Sequence, residues 1–100
     1  METFVMFGRY TSEGIQGISA ERTKKTVDLL KQHGGELKAA YALLGATDLM
    51  LIVSLPGVAE AMEVSVALSK MTGIAFTTSP AVTVEEFDKM MSPGKKGAKK

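Results

Sequence analysis

Two apolar runs set the pattern of this chain. In Leu49-Met50-Leu51-Ile52-Val53-Ser54-Leu55 the leucines and Val53 point one way while Met50 and Ile52 point the other, which predicts a strand covered on both faces. Residues 3–10 repeat the feature, with Phe4 and Met6 opposed to Val5 and Phe7. Both strands therefore belong in the middle of a sheet. Residues 36–44 form a less apolar strand, with Lys38 and small alanines on one face, and pair with residues 49–55 as a hairpin across Gly45-Ala46-Thr47-Asp48. A fourth strand, residues 74–79, is rich in Thr and Ser, and Pro80 is expected to stop its pairing.

Between these strands the period changes to that of a helix. Ser19 predicts an N-cap with Glu21 in the first turn. Thr23, Val27 and Leu30 supply the buried stripe with Thr26 beside it, and Lys24, Lys25, Asp28 and Lys31 fill the wet side. Residues 11–17, with Gly14 and Gly17 three apart, read as a loop before this helix, and Gly34-Gly35 ends it. A second helix over residues 58–71 follows the Pro56-Gly57 break. Its apolar residues, Ala59, Met62 and Val66 among them, spread around much of the circumference, so it should be packed on more than one side before Gly73 caps it. Thr83-Val84-Glu85-Glu86 has capping-box form and predicts a short last helix over residues 86–91.

The order is βαββαβ, an α+β ferredoxin-like domain over residues 1–91 with an antiparallel sheet ordered 4-1-3-2. Two helices can cover only one face of that sheet. The other must bury Val5 and Phe7 or Phe4 and Met6, together with one of the two apolar sets of residues 49–55. Each such side chain is worth about 1.5–3 kcal/mol when buried, and together they make a patch that monomers rarely expose. The pattern thus predicts pairing of two copies through their sheets, as a homodimer or higher oligomer.

Composition narrows the function classes. The chain has 100 residues, 45% of them hydrophobic and 23% charged, with a net charge of +1. That charge divides unevenly: residues 92–100 hold four lysines and no acid, and read as a basic disordered tail. Residues 1–91 hold eight basic and eleven acidic residues, so the body is mildly acidic and gives no electrostatic reason to expect nucleic acid. No stretch is long enough for a membrane span, and the start lacks the basic opening of a signal peptide, which makes the cytoplasm the expected location. With no cysteine and one histidine, the chain offers no disulfide, no thiolate nucleophile and no multi-His metal site, and no cofactor is expected. It also contains no asparagine, which argues against an acylphosphatase-type site, and lacks the glycine pattern of a phosphate loop.

Few residues carry candidate chemistry. Asp48 beside Thr47 is either turn chemistry or a carboxylate and hydroxyl at the mouth of a cavity. His33 ends the first helix, where a donor or cation suits the dipole, and an imidazole also allows a general base. Arg9 and Tyr10 end a central strand and could reach a ligand carboxylate. Tyr41 should pack with its hydroxyl at a rim. Met6, Met50, Met62 and Met71 fall at positions expected to face the core.

Several features together resemble the GYD-domain family of small bacterial and archaeal proteins. They are residues 4–10 followed by Thr11 and Gly14, Gly34-Gly35 before the second strand, the Gly45-x-x-Asp48 turn, and Gly73 before the Thr-rich last strand. Thr47 stands where the family's tyrosine would, so no phenolic role transfers there. The resemblance implies a fold of the dimeric α/β-barrel type and brings no settled activity. The pattern is also similar to the effector-binding domain of leucine-responsive regulators, without a helix-turn-helix ahead of it in this chain. The readings in competition are a homo-oligomeric module binding a small organic ligand through Arg9, Tyr10, Thr47, Asp48 and His33, a cofactor-free monooxygenase or isomerase working in a barrel cavity, and an interaction protein with no ligand.

Overall fold

Alternation along the chain builds the sheet. In β1 (Glu2–Tyr10) Phe4, Met6 and Gly8 are buried, while Val5 and Phe7 keep part of their surface. In β3 (Leu49–Leu55) Leu51, Val53 and Leu55 are buried, and Met50 and Ile52 stay partly open. The two strands pair antiparallel from Glu2 opposite Leu55 to Gly8 opposite Leu49. β2 (Glu36–Ala42) and β4 (Ile74–Ala81) flank them, giving the order β2-β3-β1-β4, which is the expected 4-1-3-2 read from the other edge. The computed structural model describes residues 1–92. The expected basic tail, past Ser92, lies outside the described residues.

α2 (Ala20–Gln32) and α3 (Val58–Thr72) cover one face. Leu30 from α2 and Ala61, Val64 and Leu68 from α3 close on Phe4, Met6, Leu51, Val53 and Leu55 in one cluster. The result is an α+β, ferredoxin-like βαββαβ arrangement. Its helices start and stop for local reasons. Ser19 Oγ accepts from Arg22 N at 3.1 Å, and Gly34 and Gly73 take φ of 80° and 73°, the left-handed turn that lets the chain leave a helix.

Several details depart from the sequence pattern. Residues 11–17 are not all loop: α1 (Ser12–Gln16) forms, capped by Thr11, whose Oγ1 accepts from Gly14 N at 2.9 Å. β4 runs through Pro80, which sits opposite Phe4. An edge strand tolerates this because one row of its backbone groups has no neighbour to bond. In α2 the buried pair is Thr26 and Leu30, and Thr23 is exposed. In α3 the buried line is Ala61, Val64, Leu68 and Thr72, so Met62 and Met71, expected in the core, are 65% and 40% exposed. β2 carries a bulge between Leu37 and Ala39, with Lys38 as the extra residue. The last helix, α4 (Val84–Met91), starts two residues early, and Thr83 Oγ1 accepts from Glu86 N at 3.0 Å.

Candidate functional site

Two features stand out once the side chains are placed by face. The first is the helix-free side of the sheet. Register puts Val5 beside Ile52 and Phe7 beside Met50 on that side, with Tyr41 next to Met50 and Ala39 next to Ile52. Val5, Phe7, Met50 and Ile52 are all half-buried, and no helix among the described residues packs over them. Tyr41 is 54% exposed. An open hollow at one end of this face joins Val5 and Ile52 to Val82, Thr83 and Glu86, so the first turn of α4 borders it. No residue of α4 is buried: Val84, Phe87 and Met91 form an apolar stripe that is half-exposed or more.

The second is a cavity of about 110 Å³ on the opposite side, between α2 and the sheet end where β1 stops and β4 starts. Gly8 opens that corner. A Cβ there would meet Ile74 Cγ2 at 2.9 Å and Phe76 Cε1 at 3.0 Å, so only glycine lets these two side chains lean across the strand. Leu37, Leu49, Leu51, Ile74 and Phe76 supply the apolar wall. Tyr10, Arg22, Thr23 and Thr26 supply polar atoms, and none of the lining residues is acidic. Arg22 Nη1 donates to Gly14 O at 2.6 Å and Thr72 O at 3.5 Å, tying α1 and the end of α3 to α2.

The residues singled out by sequence fall in different places. Tyr10 lines the cavity. Asp48 is not in its lining, yet touches Tyr10: Oδ2 accepts from Tyr10 N at 2.9 Å, while Asp48 N donates to Gly8 O at 2.9 Å. The carboxylate thus extends the β1–β3 ladder by one bond. Thr47 is its half-buried neighbour in the turn. Arg9 is exposed and, by alternation, faces the open side of the sheet, away from Tyr10. His33 stands apart at the α2–α3 crossing, with Nδ1 3.0 Å from Leu29 O and Nε2 3.8 Å from Glu63 Oε1. Lys38 pairs with Glu36 at 3.0 Å on the surface.

Arg22, Ile74 and Phe76 were not singled out by sequence. One signal was available for Arg22. It follows a capping Ser19 by three residues and has no acid three or four positions away on its helix, so nothing local was going to neutralise it. Among the described residues no His, Asp and Glu cluster could hold a metal ion, and no helix is long and apolar enough to cross a membrane.

A family model for the GYD domain matches residues 4–91. A search of curated proteins finds no match. Among solved structures, the crystal structure of an AsnC family transcriptional regulator from Agrobacterium tumefaciens is similar, with a TM-score of 0.54 at 20% identity over 81% of this chain. The match takes in 50% of that regulator, so this chain spans about half its length and the likeness speaks to the fold alone.

Proposed function

Because the chain belongs to the GYD-domain family and its described residues leave one apolar sheet face uncovered, we propose that it is a homodimeric small-molecule-binding module. Two copies pair through the helix-free face in the manner of a dimeric α/β barrel. The cavity beside Tyr10 holds the ligand. The observation that carries the first part is the row Val5, Phe7, Met50 and Ile52, with no helix over it among the described residues. Completing the burial of each adds part of the about 1.5–3 kcal/mol that such a side chain yields on leaving water.

The sheet face alone is a modest interface. Four strands of about seven residues cover roughly 19 by 23 Å from strand spacing and rise, near 440 Å² in projection. Standard interfaces bury about 800 Å² per partner. The first turn of α4 borders the same end of this face, and its exposed apolar residues Val84, Phe87 and Met91 would add to the area that a second copy covers.

In this reading Tyr10 touches the ligand and Asp48 positions Tyr10 through its backbone. The cavity lining contains no carboxylate and no imidazole, so binding is favoured over acid–base catalysis there. The test pairs two measurements. Light scattering on Ile52→Lys should report single subunits where the unaltered protein reports dimers. Thermal-shift screening with small organic molecules should give stabilisation that Ala40→Leu, which adds bulk to the cavity lining, removes. A dimer that survives Ile52→Lys would reject the pairing, and stabilisation that survives Ala40→Leu would move the ligand elsewhere.

A further inference from the structure

The donors and acceptors around the cavity specify more than its size. Most of the hydroxyls have backbone partners. Thr26 Oγ1 donates to Arg22 O at 3.0 Å, Thr23 Oγ1 to Ser19 O at 3.4 Å, and Thr72 Oγ1 to Leu68 O at 2.7 Å. Ser19 Oγ already accepts from Arg22 N. Three groups remain with protons to give, one of them the Ser19 hydroxyl, whose Oγ only accepts. The Tyr10 hydroxyl makes no hydrogen bond among the described residues, and Arg22 places only Nη1 on protein carbonyls.

Arg22 is therefore a cation held in place along one edge. Its five N–H donors lie in a plane, and with Nη1 committed, the Nε and Nη2 edge is left. That edge has the spacing of two carboxylate oxygens. The ion pairs among the described residues join Lys25 to Glu21, His33 to Glu63 and Lys38 to Glu36, and none involves Arg22. Glu13 and Glu21 line an adjoining open hollow that Arg22 also borders, and neither lines the cavity.

Resting on the small-molecule reading above, we propose that the cavity takes a short-chain monocarboxylate lacking an amino group, its carboxylate on Arg22 and Tyr10 and its tail against Leu49, Ile74 and Phe76. The size fits. An apolar cavity of about 150 Å³ accepts benzene, so about 110 Å³ accommodates roughly four to six non-hydrogen atoms. The charge fits as well: a donor-rich lining matches an acceptor-only group. An α-amino acid of the same length brings an ammonium that would lose water and find no carboxylate, which disfavours it.

The experiment follows backbone amide shifts of the full chain by NMR during titration with butyrate, butyramide and 2-aminobutyrate. Butyrate should move the Tyr10, Thr26 and Ile74 amides saturably, with the other two at least tenfold weaker. Arg22→Gln should weaken butyrate at least tenfold and leave butyramide unchanged. Because Arg22 also anchors Gly14 and Thr72, Ala40→Leu serves as the second variant, keeping Arg22 and abolishing all three titrations. Equal binding of butyrate and butyramide, or tighter binding of 2-aminobutyrate, would overturn the carboxylate assignment and leave the ligand cavity standing. Butyrate shifts that Arg22→Gln does not weaken would overturn the role of Arg22. Absence of any saturable shift at this corner would overturn the assignment together with the cavity on which it rests.

Discussion

Asp48 and Tyr10 are joined side chain to backbone: the Asp48 carboxylate accepts the Tyr10 N–H at 2.9 Å, beyond the last backbone rung between β1 and β3. A turn residue thereby sets where the phenol of Tyr10 starts. Hydrogen bonds to charged groups are worth about 1.5–3 kcal/mol, and this one is part-buried. Asp48→Ala should lower stability by about 1–2 kcal/mol in urea denaturation, and Asp48→Asn, which keeps an acceptor oxygen, should lower it by less than half as much.

Gly35 sits at the crossing from α2 into β2, and a Cβ there would overlap the Ser54 carbonyl oxygen and press on Leu55. Neither neighbour is free to yield, since the first is backbone in β3 and the second is fully buried. Gly35→Ala should destabilise by about 2–4 kcal/mol, read as a lower urea midpoint at unchanged slope.

Much of the fold was legible because its signals are local. Opposed apolar pairs in residues 3–10 and 49–55 placed those strands at the centre, and Ser19, Thr83, Gly34 and Gly73 punctuate helices where their chemistry requires. The misses have physical reasons. Five residues with a glycine are too short to show a helical period, so α1 was hidden until Thr11 capped it. α3 is apolar nearly all round, so periodicity could not separate its buried Ala61, Val64 and Leu68 from the exposed Met62 and Val66. The cavity was illegible because Tyr10, Arg22, Leu49 and Ile74 come from four elements and meet only through tertiary packing.

Leu30 is fully buried and is the α2 side chain in the core cluster. Leu30→Ala should cost about 2–5 kcal/mol, measured by thermal or urea unfolding. Lys31→Ala, one residue further on the exposed side, should change stability by less than about 0.5 kcal/mol.

Phe87 lies on the apolar stripe of α4 and is 50% exposed. Were α4 merely an ornament of the single subunit, Phe87→Ala would be silent. In the proposed pairing the ring would meet the second copy, so the substitution should raise the dimer dissociation constant at least tenfold in sedimentation equilibrium.

The central claim is that the side of the sheet bearing Val5, Phe7, Met50 and Ile52 is closed by another copy of the chain. The most direct measurement is the mass of the unaltered protein by sedimentation equilibrium across a dilution series into the micromolar range. The account predicts twice the mass of one chain throughout that range. A mass of one chain, with a cooperative unfolding transition showing that the lone subunit is folded, would contradict it.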